Sequence, residues 1–328
     1  MALDVLSAAD QVAVWDARVN DPRGRLATGI PELDRVLHRG GFAPQEFCIL
    51  GGRTGTRKTT TMLNMIAGFL NQDVSVGLIG LDESPASYAA KLCSTILGVP
   101  HEYIEEHWNT DEGKEFQQAY LDLCQDKFAM SSGYVPTMDN LNTWLDVAEV
   151  EGTRPEIVFI DYADLLAGEK YDGSETQRIP RILKRLQIWT NEQEIVTVCL
   201  HQVGRLSEGS GERYHGDTPM TPESLMYGGE AIADIILSTY RPAKDPLGNM
   251  AMEEAMAFMG ERYDEEKYQA HRSRVLAHRD HTFLQLIKNR PGTRLHEQGI
   301  CLTSPDESMR MTTPGMRYDP DTGLLEED

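Results

Sequence analysis

The chain has 328 residues, with 52 acidic and 31 basic side chains and a formal net charge of −21. This balance excludes a generally basic nucleic-acid coat protein, and a hydrophobic content of 40% excludes disorder throughout the chain. No run reaches the roughly 18 uninterrupted apolar residues that a membrane span needs, and the N-terminus carries acids where a signal peptide carries basic residues. We therefore expect a soluble, cytoplasmic protein that does not contact a membrane.

Six short apolar runs predict strands that are buried on both faces. In chain order they are residues 46–52, 74–82, 156–162, 194–201, 233–240 and 282–288. Apolar side chains at helical spacing follow the first run at 62–70 and the third at 179–189. Strands that alternate with helices predict an α/β domain with a mostly parallel, twisted sheet and helices on both faces.

The chain divides into a core and three peripheral segments. We expect residues 26–302 to form the core domain, interrupted at about 243–280 by a helical insert that is first Met-rich and then basic. Residues 1–25 contain a predicted amphipathic linker helix that would dock on an adjacent protomer. Residues 303–328 are polar and acidic, and we expect them to be loosely ordered.

A glycine-rich run directly follows the first predicted strand and leads into a predicted helix, which is the setting of a phosphate-binding P-loop. Backbone N–H groups of such a loop surround phosphate oxygens, Lys58 would reach the β- and γ-phosphates, and the Thr59 hydroxyl would bind Mg²⁺. The alternative is a glycine-rich turn with a chance Lys-Thr pair. The predicted nucleotide contacts are Gly52, Arg53, Thr54, Gly55, Thr56, Arg57, Lys58, Thr59 and Thr60.

The loop departs from the GxxxxGK[ST] pattern at one position, where Arg57 replaces the second glycine. The Arg57 side chain must point away from the phosphates for the loop to close normally. We therefore expect this replacement to affect nucleotide hydrolysis more than nucleotide binding.

Three acids follow predicted strands at the edge of the sheet where open α/β folds bind ligands. Asp161 ends the run 156–162 and is predicted to hold Mg²⁺ opposite Thr59. Asp82 ends the run 74–82 and Glu83 follows it directly, before the helix-start signal Ser-Pro, so that one of the two acids could orient an attacking water. The alternative for this pair is a solvated acidic turn.

Six segments in order resemble the ATPase domain of DnaB-type replicative helicases, within the RecA-like group that includes KaiC and RadA. These segments are TGIPELDRVL, GLDESPASY, FIDYADLL, HQVGR, ADIILSTYR and LIKNRPG. The resemblance implies a RecA-like P-loop ATPase core that uses ATP and Mg²⁺ in a homo-oligomeric ring, expected to be a hexamer.

The resemblance also implies roles for individual residues. Gln202 is similar to the sensor that reads the γ-phosphate, whereas the neighbouring His201 is better explained as a half-buried histidine. Lys288 and Arg290 are similar to a cationic finger that enters the ATP site of the neighbouring subunit. Arg241 is expected to line the adenine pocket.

In this family, the loops after the Mg²⁺ strand and the sensor strand line the centre of the ring. Here they are residues 167–178 and 204–229, and the second is the better candidate for contact with single-stranded DNA. Its proposed contacts to the DNA backbone and bases are Arg205, Arg213, Tyr214 and His215. The alternative for this loop is a disordered surface segment.

The preferred function is an ATP-dependent DNA helicase or translocase on single-stranded DNA that acts in replication. Primase or other replication proteins are candidate partners, and a short phage-encoded form would work in the host cytoplasm without a primase-binding domain. Two alternatives remain open: a RecA/RadA-like recombination or repair ATPase, and a KaiC-like nucleotide-gated DNA-binding ATPase with weak hydrolysis. The direction of translocation cannot be read from the sequence, and no nuclease motif is evident.

Overall fold

One mixed sheet organises the described residues of the computed structural model. The structure describes residues 7–21, 24–132, 137–138, 140–166, 175–203, 215–221, 225, 229–292, 295–304, 308–318 and 325–327. Eight of the described strands form this sheet in the order β3-β2-β4-β5-β1-β6-β7-β8. They are β1 (Phe47–Gly52), β2 (Val76–Gly80), β3 (Phe128–Met130), β4 (Ile157–Asp161), β5 (Val196–Gln202), β6 (Ile235–Tyr240), β7 (Thr282–Asn289) and β8 (His296–Leu302). A separate hairpin pairs β9 (Met316–Tyr318) with β10 (Leu325–Glu327).

The prediction of a mostly parallel sheet is confirmed. Within the eight-stranded sheet, the neighbours β3, β2, β4, β5, β1 and β6 pair in parallel, and β7 and β8 add antiparallel pairings at one side. All six predicted strands are present. The sequence analysis missed β3, which has three partly exposed residues, and β8, an edge strand whose first three residues are polar.

Helices cover both faces of the sheet, as predicted. The described α-helices are α1 (Ala8–Val19), α2 (Pro31–Val36), α3 (Lys58–Asn71), α4 (Pro85–Leu97), α5 (His101–His107), α6 (Asp111–Cys124), α7 (Asn140–Val150), α8 (Glu175–Gln193), α9 (Gly229–Ile232), α10 (Pro246–Asn249), α11 (Met252–Met259) and α12 (Glu265–Ala277). One core cluster lies between the sheet and α2, α3, α4 and α6, and a second lies beneath α7 and α8.

Strand β1 shows why these runs are apolar at every position. Successive side chains of a strand point to opposite faces. Cys48 and Leu50 enter the first core cluster, whereas Phe47 and Ile49 enter the second. Because both faces are covered by helices, an alternating polar pattern would leave buried polar groups.

The periphery agrees with the sequence in two places. The insert is helical and contributes α10, α11 and α12 between β6 and β7. In α1, Ser7 forms a capping box with Asp10, and the side chains of Val12, Val14 and Trp15 are exposed. None of the described helices is long and apolar enough to cross a lipid bilayer.

The expectation of loose order after residue 303 is wrong for residues 308–313, four of which are buried. The Asn64 side chain on α3 donates to the Met309 carbonyl (2.8 Å) and accepts from the Met311 N–H (2.7 Å). Arg310 donates to the carbonyls of Thr95, at 3.0 Å, and Ile96 at the end of α4. These contacts satisfy polar groups that composition alone would assign to solvent.

Because Met311 is only 3% exposed and packs in the first core cluster, we expect Met311→Ala to destabilise the protein. Truncation of a buried Met lowers the free energy of unfolding by about 2–5 kcal/mol. Urea denaturation followed by circular dichroism measures this loss. Met256→Ala on α11 is the matched control, since that side chain is 48% exposed and its loss should change stability by less than about 0.5 kcal/mol. Equal stability of the two variants would contradict the packing of the C-terminal segment.

Candidate functional site

The candidate phosphate-binding loop joins β1 to α3 at the carboxyl edge of the parallel strands. In the parallel register, Gly52 lies beside Gln202 of β5 and Thr239 of β6. A Cβ at Gly52 would approach the hydroxyl oxygens of Thr56 and Thr239 to 2.6 and 2.7 Å. Glycine is therefore required at this position because the loop folds back closely over the end of β1.

Arg57 is the N-cap of α3 and has a left-handed backbone (φ 64°, ψ 34°), which explains why the motif has glycine there. This conformation costs a non-glycine residue about 1–2 kcal/mol. The loop is nevertheless closed. The Thr56 hydroxyl donates to the Arg53 carbonyl (2.8 Å), and its oxygen lies 2.9 Å from the hydroxyl oxygen of Thr239. The Thr61 hydroxyl, one turn into α3, donates to the Arg57 carbonyl at 2.9 Å.

The Lys58 ammonium lies inside the loop. It donates to the carbonyls of Gly52 (3.0 Å) and Arg53 (3.2 Å). Burial lowers the pKa of Lys58 to about 8, against the opposing effect of the Asp161 and Asp82 carboxylates. A buried ammonium that is held only by carbonyls would gain from contact with an anion, and phosphate oxygens suit this position.

Asp161 at the end of β4 connects three elements. Its Oδ2 atom accepts a hydrogen bond from the Thr59 hydroxyl on α3 (3.0 Å) and from the Tyr88 hydroxyl on α4 (3.0 Å). Tyr88 reaches it across Gly80, where a Cβ would approach the tyrosine ring to 2.3 Å. Burial raises the pKa of Asp161, and the hydrogen bonds from Thr59 and Tyr88 partly offset that effect.

Thr59 and Asp161 fit a magnesium site. A carboxylate and a hydroxyl that lie 3.0 Å apart supply hard oxygen ligands, which Mg²⁺ prefers. No group of three or more His, Cys, Asp or Glu side chains that could hold a metal occurs in the described part of the chain. The remaining Mg²⁺ ligands would therefore come from phosphate oxygens and water.

The two acids after β2 have different surroundings. The Asp82 side chain is exposed, yet its charge acts on both Lys58 and Asp161. Glu83 instead forms an ion pair with Lys91 on α4, with an Nζ–Oε distance of 2.5 Å. Burial raises the pKa of Glu83, but hydrogen bonds from Lys91 and Ser87 outweigh burial and lower it. Asp82 thus lies near the loop, whereas Glu83 is paired with Lys91 on α4.

The predicted sensor contacts the loop directly. The Gln202 side-chain amide donates to the Thr54 hydroxyl (2.7 Å), and Arg53 donates to the Val203 carbonyl (3.1 Å). His201 is fully buried, and its Nδ1 atom lies 2.8 Å from Asp164 Oδ1. His201 thus has a structural contact, and Gln202 lies beside the candidate phosphate-binding loop; its role as a sensor stays a prediction.

A group of cations lies on the β6 side of the loop. Arg241 donates to the carbonyls of Gly55 (3.5 Å) and Arg279 (3.1 Å). The Lys244 ammonium lies 2.9 Å from where a Cβ on Gly55 would be. Burial lowers the pKa of Arg57, and the nearby Asp280 partly counters this effect. The Arg57 guanidinium is therefore close enough to Asp280, at the end of the insert, for their charges to interact.

The predicted finger lies at the amino ends of the parallel strands, opposite the candidate phosphate-binding loop. Lys288 Nζ donates to the Glu230 carbonyl, and Arg290 pairs with Asp234 (2.7 Å), which precedes β6. The Asp234 carboxylate also accepts from the N–H of Phe47, the first residue of β1. Since β1 spans about 17 Å, the finger does not reach the loop of its own chain. Its entry into a neighbour's site stays a prediction.

Of the proposed DNA contacts, Arg205, Arg213 and Tyr214 lie outside the described residues, as does much of the two loops. His215 is described and its side chain is exposed. The next residue, Gly216, accepts from the Arg241 N–H (2.7 Å), and a Cβ there would lie 2.7 Å from the Thr56 side chain. The candidate DNA loop therefore touches the phosphate-binding loop at Gly216, near its middle.

Sequence reasoning missed the part that α4 plays. Ser87, Tyr88 and Lys91 face the site from one side of this helix, since residues three and four apart share a helix face. Ser84 caps the helix through the Ser87 N–H, as predicted. The i, i+3, i+4 and i+7 spacing from Ser84 could have identified these residues. Lys244 was missed because it belongs to the insert.

The chain is similar to known proteins in sequence and in structure. Residues 25–293 match the sequence model of the DnaB-like helicase C terminal domain. The replicative DNA helicase DnaB of Helicobacter pylori (strain J99 / ATCC 700824) is 29% identical over 230 residues, covering 68% of this chain and 46% of that protein. The probable plasmid replicative DNA helicase of Chlamydia psittaci is 25% identical over 231 residues, covering 66% and 46%. The chain thus spans about half the length of these curated relatives.

Two solved structures are similar to this chain. The ATPase domain of G40P has a TM-score of 0.69 and 18% identity, over 94% of this chain and 99% of that one. The structure of a DnaB-like replicative helicase and its interactions with primase has a TM-score of 0.66 and 18% identity, over 94% and 67%. This likeness confirms the predicted RecA-like fold.

The buried Asp161 carboxylate predicts a stability change that needs no ligand. Asp161→Asn keeps an oxygen that can accept both hydroxyl hydrogen bonds and removes the cost of burying a charge. We expect a gain of about 0.5–2 kcal/mol in unfolding free energy at neutral pH. Because the folded-state pKa of Asp161 is raised, this gain should shrink as pH falls through that pKa and the native carboxyl becomes protonated.

Urea denaturation at several pH values measures this dependence. Asp146→Asn on α7 is the control, because the Asp146 side chain is exposed. A gain that does not vary with pH, or that equals the control, would show that burial of the Asp161 charge does not govern stability.

Proposed function

Because the chain belongs to the family of the DnaB-like helicase C-terminal domain, we propose that it is an ATP-dependent DNA helicase that translocates on single-stranded DNA during replication. The observation that carries this proposal is the closed loop around Lys58, with Thr59 hydrogen-bonded to Asp161 at its base. The two named relatives are replicative helicases, which favours replication over recombination or a KaiC-like role. A cytoplasmic location agrees with that role.

The nucleotide site would work through groups that are already in place. Lys58 exchanges its contacts to the Gly52 and Arg53 carbonyls for contacts to phosphate oxygens, and the backbone N–H groups of the loop hold the rest of the triphosphate. Thr59 and Asp161 would hold Mg²⁺, which when bound neutralises charge on the phosphates. Glu83 or Asp82 orients the attacking water, and Gln202 reports the state of the γ-phosphate through Thr54.

Completion of the site would need a second copy of the chain. Lys288 and Arg290 lie at the edge of the sheet that is remote from their own loop, so they would supply positive charge to an adjacent protomer. The exposed Val12, Val14 and Trp15 of α1 form an apolar surface that would dock on that protomer. A ring, most simply a hexamer, satisfies both contacts in every subunit.

DNA and protein partners follow from the same arrangement. The middle of the loop 204–229 touches the phosphate-binding loop at Gly216, so single-stranded DNA bound by Arg205, Arg213, Tyr214 and His215 would be coupled to nucleotide state. One similar solved structure is described with its interactions with primase, which makes primase a candidate partner here.

The pKa of Lys58 predicts how nucleotide affinity depends on pH. Only the protonated ammonium attracts phosphate, and burial lowers the pKa of Lys58 to about 8. We expect ATP affinity to be constant at lower pH and to fall by up to about tenfold per pH unit above pH 8. Titration calorimetry with ATP measures this slope over a range from about pH 6.5 to about pH 9.5, which brackets the pKa of Lys58. In Lys58→Ala the affinity should be weaker and the slope should disappear; an unchanged slope would contradict the assignment.

ATP hydrolysis and strand displacement on a forked duplex test the proposed activity. The native protein should displace the strand, whereas Lys58→Ala should neither hydrolyse ATP nor displace it. Arg290→Ala should lose about 100-fold or more in turnover, because a transition-state cation is missing. Arg262→Ala, an exposed arginine of the insert, is the control and should keep activity.

Mixing the two inactive chains tests catalysis across subunits. A Lys58→Ala chain still carries Arg290, and an Arg290→Ala chain still carries Lys58, so some mixed interfaces contain both residues. Partial recovery of turnover is expected on mixing. No recovery, with both variants folded by circular dichroism and assembled by light scattering, would contradict a shared site.

A further inference from the structure

The Glu83 carboxylate, a candidate water-orienting group, has both oxygens engaged within its own chain. Lys91 Nζ lies 2.5 Å from Oε1 and 2.5 Å from Oε2. The Ser87 hydroxyl donates to Oε2 at 2.5 Å. A carboxylate that is paired with an ammonium in this way is a weak base and has little capacity to accept a hydrogen bond from water.

The partner of Glu83 lies on a helix that also contacts the predicted magnesium ligand. Lys91, Ser87 and Tyr88 are on one face of α4, and the Tyr88 hydroxyl donates to Asp161. A small shift or rotation of α4 would therefore change the contacts of Glu83 and Asp161 together. The Ser84 cap holds the start of this helix next to the end of β2.

We propose that Lys91 is a positioning residue that holds Glu83 in an inactive contact, and that efficient ATP turnover requires Glu83 to exchange Lys91 for water. This inference rests on the proposed ATPase function. In the state described by the structure the pair is closed, and basal turnover is low. Binding of nucleotide and single-stranded DNA moves α4 relative to β2 and opens the pair.

The energetics of the pair suit such a switch. The side chains of Glu83 and Lys91 are each 25% exposed, so water stabilises both charges after separation. Ion pairs of this partly exposed kind contribute little free energy compared with the binding of a nucleotide, so ligand binding can separate them. Asp82, the other candidate for orienting the water, is exposed, whereas Glu83 is held by residues of α4. A movement of α4 would therefore act on Glu83.

Lys91→Met tests the proposal, because it keeps the length of the side chain and removes its charge. ATP turnover is measured without and with single-stranded DNA. We expect DNA-free turnover to rise about fivefold, the factor that corresponds to about 1 kcal/mol, and stimulation by DNA to fall by a similar factor. Lys91→Arg, which restores the cation, should return both values toward those of the native protein.

Lys127→Met is the matched control, since Lys127 forms a 2.5 Å ion pair with Asp73 in another part of the chain. It should leave basal and stimulated turnover unchanged. If Lys91→Met lowers turnover equally with and without DNA, Lys91 supports catalysis and the proposal is overturned. Unchanged turnover in both conditions also overturns it.

Amine labelling followed by mass spectrometry separates this inference from the proposed function. Lys91 should react slowly with an acylating reagent in the free native protein and faster in Glu83→Gln, relative to Lys127. Addition of a slowly hydrolysed ATP analogue and single-stranded DNA should also increase Lys91 labelling. If the native chain hydrolyses no ATP, the proposed function fails, and labelling still decides: no increase with ligands overturns the switch.

Discussion

The hydrogen bond between Thr59 and Asp161 is the contact on which the rest of the site depends. It joins the first turn of α3 to the end of β4, and the Tyr88 hydroxyl brings α4 to the same carboxylate oxygen. Three elements that are far apart in the sequence are thereby fixed around one buried charge. Burial of that charge is unfavourable by itself, so the geometry is maintained because two hydroxyl donors compensate for the lost water.

The cations around the phosphate-binding loop contrast with the acidic composition of the chain as a whole. Lys58, Arg57, Arg241 and Lys244 surround a single loop in a protein whose formal net charge is −21. Burial lowers the pKa of Arg241, and the proximity of Arg57 lowers it further. Like charges that are packed together and partly removed from water favour an anion between them. An acidic exterior around such a pocket would also steer polyanions away from other surfaces.

The sequence predicted the fold and the loop well because both depend on short-range patterns. The buried runs of β1, β2, β4, β5, β6 and β7 are visible from apolar content alone, and the loop is a contiguous motif. Strand β3 has three residues and β8 is half polar, so neither has a clear pattern. The roles of Tyr88 and Lys91 depend on how closely α4 approaches β2, which is set by the absence of a side chain at Gly80. The order of residues 308–313 depends on Asn64, which lies about 245 positions earlier in the chain.

That last contact has a mechanical consequence. The Asn64 side chain hydrogen-bonds to the backbone of the two residues that flank Arg310. Asn64 lies six residues, or about 9 Å, along the helix that starts with Lys58. Residues 309–311 therefore connect the C-terminal segment to α3. A pull on the chain beyond residue 311 would be transmitted through Asn64 to the helix whose first turn contains Lys58 and Thr59.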